Sequence, residues 1–191
     1  MAIHDEELEA LLHPAAPDDL PELERLGIFT GTVIDWEPEF AEFAAKLRGL
    51  AGAPEPYVDD EGAEWQVVAH VVDDAARRAA WVEWRWKEGR VVDTHYRLKA
   101  RDDRSLVVRW EVATYNPYFG CRVKHLGWVG DAVVMVYEDK HDTYAAAAGR
   151  GLPIRRSLIS PDWALDGATL AWRDADGRTH RIALPLGLDP L

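Results

Sequence analysis

The sequence contains little cysteine, methionine, asparagine or glutamine. It has one cysteine, two methionines, one asparagine and one glutamine among 191 residues. A single cysteine excludes an internal disulfide, which is typical of a reducing compartment. No run of eighteen apolar residues is present, so no membrane-spanning helix is predicted. The N-terminal stretch is acidic and lacks the basic start and apolar core of a signal peptide. These absences predict a cytoplasmic protein that does not enter a membrane.

The familiar signatures of catalysis are also missing from the sequence. It contains no phosphate-binding loop, no GxGxxG, no GxSxG, no HExxH and no calcium loop. It has neither the CxxC nor the HxxxH spacing that marks many metal sites. We therefore expect no cofactor and no metal, and a non-enzymatic role is favoured. The 17 arginines against 5 lysines indicate a GC-rich bacterial genome.

Composition and charge describe an acidic protein whose acidity is unevenly placed. Hydrophobic residues make up 48% of the chain and include nine tryptophans, which predicts a folded protein. Residues 1–62 carry 16 acids and 3 bases, whereas residues 63–191 carry 18 acids and 19 bases. The length suits a single domain over 1–191. We predict an acidic, mainly helical part over 1–62 and a β-rich part over 63–191.

Helical periodicity is confined to the first third of the chain. Short amphipathic helices are predicted over 5–12 and 17–26, with a strand over 28–34 between them and the next helix. The clearest helix runs from an N-cap at Asp35 to Leu50. It places its apolar residues at steps of three, four and three: Phe40, Phe43, Leu47 and Leu50.

After residue 63 the apolar period changes to two, which is typical of strands. Trp65–Val72 is predicted as a strand, with a helix over 64–80 left as an alternative. Apolar residues then alternate with charged ones along 81–87, 92–99 and 106–112. A three-residue turn at Lys87–Gly89 would place Trp84 opposite Val92. Three strands of matching parity predict an antiparallel meander with one apolar face and one solvent-facing charged face.

The segment Ala132–Glu138 is apolar on both faces, so it must be covered on two sides. The helix over 36–50 is the expected second cover. Further strands are predicted over 143–148, 168–173 and 179–184, with a short helical turn around Trp163. The fold class predicted is α+β, with N-terminal helices packed on a strongly curved, mainly antiparallel sheet of seven to nine strands. A closed eight-stranded antiparallel β-barrel is the alternative.

One cluster could carry chemistry, and it consists of Cys121, His125, His141 and Asp142. Cys121 and His125 lie four apart on a predicted strand, so they should share a face at a separation of about 13 Å, too far for a thiol–imidazole pair. A hydrolase site built on Cys121, His141 and Asp142 is an alternative. A lone cysteine in a strand is more often a small core residue.

Aromatic residues provide candidate binding positions. The turn between Tyr115 and Gly120 holds three aromatic residues, and it is either a lid on the sheet or a recognition loop. Trp81 falls on the charged face of the meander, which suggests a second packing surface or an interface. The stretch Ala51–Gly62 has the proline, glycine and acid content of an exposed linker, and it adds three carboxylates. The candidate binding residues are Asp59, Asp60, Glu61, Trp81, Tyr115, Asn116, Tyr118 and Phe119.

Three functional hypotheses follow from the sequence. The leading one is a protein-interaction module of the bacterial cytoplasm that engages a basic protein or peptide through its acidic first third, for example as a toxin-neutralising or defence-associated protein. Direct nucleic-acid binding is disfavoured because no basic stripe is present. The second is a β-barrel whose Trp-lined interior binds a small apolar molecule. The third is the Cys121 hydrolase.

Overall fold

The computed structural model describes residues 39–53, 55–59, 62–87, 93–115 and 121–191, and the backbone of these residues forms one helix and twelve strands. All the described residues belong to one compact unit. The elements in chain order are α1 (Phe40–Gly52), β1 (Tyr57–Val58), β2 (Glu64–Asp73), β3 (Arg78–Lys87), β4 (Asp93–Arg101), β5 (Leu106–Tyr115), β6 (Arg122–Val129), β7 (Ala132–Asp139), β8 (Asp142–Gly149), β9 (Leu152–Ile159), β10 (Trp163–Asp166), β11 (Thr169–Arg173) and β12 (Thr179–Ala183).

Helix α1 confirms the helix predicted up to Leu50. It begins at Phe40 with Glu39 as its N-cap, so the predicted N-cap at Asp35 lies outside the described residues. Phe40, Ala44 and Leu47 are buried, and two further apolar residues, Phe43 and Leu50, pack beside them against the first sheet. The apolar stripe therefore faces the protein, as its spacing predicts. No helix in the described part of the chain has the length and apolar character needed to cross a membrane.

The first sheet is the predicted antiparallel meander. Strands β1 to β5 lie in sequence order, and each is antiparallel to the next. The alternative helix over 64–80 is wrong, because β2 occupies Glu64–Asp73. The register between β3 and β4 differs from the prediction, since Trp84 pairs with Tyr96 rather than with Val92. The shift is an even number of residues, so the predicted faces are preserved.

The second sheet packs on the apolar face of the first. Strands β6 to β9 also lie in sequence order and antiparallel. Strands β2 and β3 lie opposite β6, and β5 lies opposite β8. Between the sheets is the largest core cluster, whose buried members include Val82, Leu98, Val133, Met135 and Ala146. The core of the protein is therefore the interior of a two-sheet sandwich.

The third sheet covers the other face of β7. Strands β10 to β12 carry Leu170 against Val134 and Val136, with Leu184 from the following turn. The prediction that Ala132–Glu138 is covered on both sides is confirmed: six consecutive residues from Ala132 to Tyr137 are buried. The predicted cover by α1 is wrong, because α1 lies on the outer face of the first sheet and the C-terminal sheet takes its place. The helical turn predicted around Trp163 is wrong too, since β10 is a strand.

The described fold is thus mostly antiparallel β-structure with one helix. The twelve strands divide into three separate sheets and do not close on one another within the described residues, so the barrel alternative is wrong. Strand β9 was not predicted, which explains part of the higher strand count. The predicted elements over 5–12, 17–26 and 28–34 lie outside the described residues, and a single domain over 1–191 stays a prediction.

Candidate functional site

A group of ionisable side chains joined by short contacts lies at the start of the first sheet, on strands β1, β3 and β4 and just after β1. We call it the buried charged cluster, and it consists of Tyr57, Asp59, Glu83, Arg97 and Lys99. Glu83 is fully buried and Arg97 is 4% exposed. The sheet register brings them together, because Glu83 of β3 is the direct cross-strand partner of Arg97 of β4. The short strand β1 adds Tyr57, and the residue after it adds Asp59.

Every described contact of the Glu83 carboxylate is a donor or a positive charge. The Arg97 Nε and the Tyr57 hydroxyl both donate hydrogen bonds to it. The Trp81 Nε1 donates to Oε2 at 3.0 Å, and the Lys99 Nζ lies 3.0 Å from Oε1. A carboxylate with this many donors is satisfied as an ion without water.

Arg97 links Glu83 to the Asp59 carboxylate. Its Nη2 lies 3.2 Å from Asp59 Oδ2, and the same oxygen accepts a hydrogen bond from Trp65 Nε1 at 2.7 Å. The guanidinium carbon of Arg97 lies 3.4 Å from the centre of the Trp65 ring, a cation–π contact. The planar guanidinium is thus held at its edge by two carboxylates and on its face by an indole.

The cluster shifts the protonation of its members in opposite directions. Burial alone would raise the pKa of Glu83, but Lys99, Tyr57 and Arg97 outweigh it and lower that pKa. Burial, with the adjacent Glu83 charge, raises the pKa of Tyr57. Burial also lowers the pKa of Lys99, which Glu83 only partly counteracts. At neutral pH the result is an ionised Glu83 beside a protonated Tyr57.

These observations correct one prediction about the charged face of the meander. Cross-strand ion pairs are present as expected, with Glu83 of β3 beside Arg97 and Lys99 of β4. The expectation that this face meets solvent is wrong for Glu83 and Arg97, because both are buried, with Tyr57 on Glu83 and the Trp65 ring on Arg97. Tyr57, Trp65 and Lys99 were not among the predicted site residues. The sequence did carry a signal for this covered face. Trp81 lies on the same face of β3 as Glu83, and a tryptophan among charged residues indicates that part of the face is covered.

Cys121 lies in the core between the first two sheets. It is 7% exposed, and burial, with Asp139 nearby, raises the pKa of its thiol to about 12. His141 and Asp142 are exposed at the turn that joins β7 to β8. A thiol with so high a pKa is protonated at neutral pH and is a poor nucleophile. The hydrolase hypothesis stays a prediction without geometric support from these three residues.

The buried thiol makes a direct prediction. At pH 8 the folded protein should react with a chromogenic disulfide reagent at least about 100-fold more slowly than the same chain in urea, because folding removes the thiolate and blocks access. Stopped-flow absorbance measures both rates, and Cys121 is the one cysteine that can react. Equal rates in the two states would contradict the buried position of Cys121 and revive the hydrolase hypothesis.

Cys121 and His125 do not share a face, contrary to the prediction. The pairing of β6 with β7 shifts between Val123 and His125, which is the mark of a β-bulge. Cys121 therefore faces the first sheet, whereas the His125 ring lies 6.5 Å from the Trp163 ring of the third sheet. Gly127 leaves the room for that ring, since a Cβ there would lie 2.8 Å from His125 Nε2. Burial lowers the pKa of His125.

The predicted binding residues are divided by the structure. Trp81 is 7% exposed and packs against Phe43 of α1 with ring centres 5.4 Å apart, so it forms the second packing surface that was one of its two predicted roles. Asp59 belongs to the buried charged cluster. The side chains of the remaining candidates lie outside the described residues: Asp60, Glu61, Tyr115, Asn116, Tyr118 and Phe119.

Two further observations limit the chemistry available in the described part of the chain. No group of three or more His, Cys, Asp or Glu side chains there is arranged to hold a metal ion. Trp84 and Trp110, two of the tryptophans that would line the interior of a ligand-binding barrel, pack against the core between the sheets.

Comparison with protein-family models, with curated proteins and with solved structures finds no match to this chain. Its function is therefore inferred from its own residues.

Proposed function

We propose that this protein is a non-enzymatic interaction protein of the bacterial cytoplasm, which engages a basic partner through the acids of its N-terminal third, residues 1–62. The observation that carries the proposal is the division of charge. Residues 1–62 carry a net charge of −13 and residues 63–191 a net charge of +1. A field of one sign on one part of a chain accelerates encounter with a partner of the opposite sign and rejects like-charged partners.

The contacts of Asp59 indicate which acids are available to a partner. Asp59 is engaged by Arg97, Trp65 and the Ala63 amide, so its charge is satisfied inside the protein. The acids assigned to the partner are therefore the other fifteen acids of residues 1–62. The β-rich part, with its acids and bases nearly balanced, serves as the folded support.

The partner that fits this chemistry is an arginine-rich or lysine-rich protein surface or peptide. Neutralisation of a basic toxin is one concrete form of such an interaction. Contacts of this kind depend on ionic strength, because exposed charges are screened within about 8 Å at physiological salt. The interaction should therefore weaken steadily as salt is added.

A peptide titration with two matched variants tests the proposal. One variant changes Asp5, Glu6, Glu7, Asp18 and Asp19 to their amides, and the other does the same to five exposed acids of the β-rich part: Glu64, Asp131, Asp162, Asp166 and Asp176. Isothermal titration with an arginine-rich decapeptide at low salt should show about tenfold or greater weakening for the first variant, since one contact between opposite charges in water contributes about 1 kcal/mol. The second variant should bind like the original protein.

Two results would contradict the proposal. If both variants weaken binding equally, the peptide responds to total charge and the N-terminal third has no special role. If affinity does not change with added salt, the interaction is not electrostatic. Circular dichroism of each variant confirms that the fold is retained before the comparison is made.

A further inference from the structure

Lys99 is held on the outer face of the first sheet by neighbours on both adjacent strands. Its cross-strand partners are Trp81 of β3 and Arg109 of β5. Its Nζ lies 3.0 Å from Oε1 of the buried Glu83 and 6.0 Å from the centre of the Trp81 ring. The Lys99 side chain is 17% exposed. The amine is therefore fixed in position and still within reach of a small molecule.

The surroundings of Lys99 are rich in positive charge. Arg97 and Arg101 are the next residues on its face of β4, because alternate residues of a strand share a face. Both are buried, and Arg109 lies directly opposite on β5. Repulsion between like charges favours the neutral form of a lysine amine. Burial lowers the pKa of Lys99, and Arg97 and Arg109 add to that effect while Glu83 opposes it.

The other contacts of Glu83 allow Lys99 to lose its proton. Arg97, Tyr57 and Trp81 also donate hydrogen bonds to the Glu83 carboxylate. The carboxylate therefore remains a satisfied ion when Lys99 becomes neutral. A neutral amine keeps two N–H groups, and one of them can donate to Glu83 Oε1 while the nitrogen lone pair points elsewhere. Glu83 thus positions the Lys99 amine and leaves its lone pair available for reaction.

We propose that Lys99 is a nucleophilic amine that binds a small aldehyde covalently as an imine. The neutral nitrogen attacks the carbonyl carbon, and a proton passes from nitrogen to oxygen to give a carbinolamine. The C–O bond then breaks, the hydroxyl takes a proton from solvent and leaves as water, and the nitrogen forms the C=N bond after losing its remaining proton. One molecule of water is released, and no oxidant or reductant is consumed.

Competitive labelling with propanal and cyanoborohydride tests the site, because the reductant traps each imine as a stable amine. The chain has five lysines, and peptide mass spectrometry follows the labelling of each. At pH 7 Lys99 should be labelled at least about tenfold faster than Lys46, which is exposed on α1, because burial and neighbouring cations activate a lysine amine. The ratio of the two rates should decrease as the pH is raised. In urea the two rates should become equal, because the advantage of Lys99 arises from the fold.

Two matched variants identify the cause of the reactivity. Arg109→Gln removes the cation opposite Lys99, so it should slow the labelling of Lys99 by about threefold or more at pH 7 and leave Lys46 unchanged. Arg122→Gln changes an exposed arginine of β6 and should leave both rates unchanged. Both substitutions are at exposed positions, and circular dichroism of each variant verifies the fold before the rates are compared.

Three results would overturn the proposal. If Lys99 is labelled no faster than Lys46 at pH 7, Glu83 holds it as an unreactive ammonium ion. If its advantage persists in urea, the reactivity belongs to the local sequence and not to the site. If Arg109→Gln and Arg122→Gln act alike, the neighbouring cation does not activate the amine. None of these results bears on the binding of a basic partner by the N-terminal third, which is a separate proposal.

Discussion

Arg97→Met should lower the free energy of unfolding by about 3–5 kcal/mol, which is the usual consequence of removing one partner from a buried ion pair. The substitution keeps most of the side-chain volume, but it leaves the fully buried Glu83 without its cross-strand cation and frees Asp59 from the same guanidinium. Urea unfolding followed by tryptophan fluorescence measures the loss. Arg122→Met is the matched control, because Arg122 is exposed on β6, and it should change stability by less than about 0.5 kcal/mol.

The pH dependence of stability identifies the charge responsible for this loss. Since the pKa of Glu83 is lowered in the folded protein, the carboxylate contributes stability above the pKa of an unfolded glutamate, about 4.3, and that contribution disappears as pH falls through the lower folded value. Arg97→Met should therefore flatten the stability profile on the acid side. A loss below about 1 kcal/mol, or a profile with unchanged acid slope, would show that the cluster is solvated and contradict its buried position.

Leu170→Ala should lower the free energy of unfolding by about 2–5 kcal/mol, the range for deleting a fully buried leucine. Leu170 is fully buried and packs on the outer face of β7 with Val134 and Val136. The loss arises from the removed apolar contacts and from the cavity that remains. The same urea unfolding experiment measures it, with a single transition expected because the third sheet shares its core with the second.

Leu186→Ala is the control for that prediction, since Leu186 lies in the same C-terminal region but is 70% exposed. It should change stability by less than about 0.5 kcal/mol. Similar small effects for both leucines, or an early separate transition in Leu170→Ala, would mean that the C-terminal strands are an independent addition. Such a result would contradict the packing of the third sheet on the outer face of β7.

Local periodicity was sufficient to predict the faces of the first sheet. The alternation of Val82 and Trp84 with charged residues put them on the core face, and both pack there against Leu98 and Tyr96. The face survived an error in register, because the observed register differs from the predicted one by an even number of residues. Face depends on the sequence of one strand, whereas register depends on the connection between two.

The features that sequence reasoning missed depend on distant parts of the chain or on irregular backbone. The burial of Glu83 involves Tyr57, which belongs to another segment and which the charge pattern of β3 does not reveal. The opposite orientation of Cys121 and His125 depends on one bulge at Lys124, which inverts an otherwise correct parity argument. The sequence predicted that β7 is covered on both faces, but it did not predict which element covers the outer one. Both α1 and the C-terminal strands have an apolar face, and local periodicity does not show which of them packs on β7.

The buried charged cluster also bears on the proposed function. It is the most concentrated set of ionisable groups in the described part of the chain, yet each carboxylate in it is satisfied by an internal donor. In the proposed function, binding through charge is therefore assigned to the fifteen acids of residues 1–62 that the cluster does not use.

Amide chemical shifts recorded during a titration with the arginine-rich decapeptide test this assignment most directly. We expect the largest saturable changes within residues 1–62, outside the buried charged cluster, with the amides of Glu83, Arg97 and strands β2 to β12 nearly unchanged. Added salt should reverse the changes. Saturable shifts confined to residues 63–191, with the N-terminal third silent, would contradict the account.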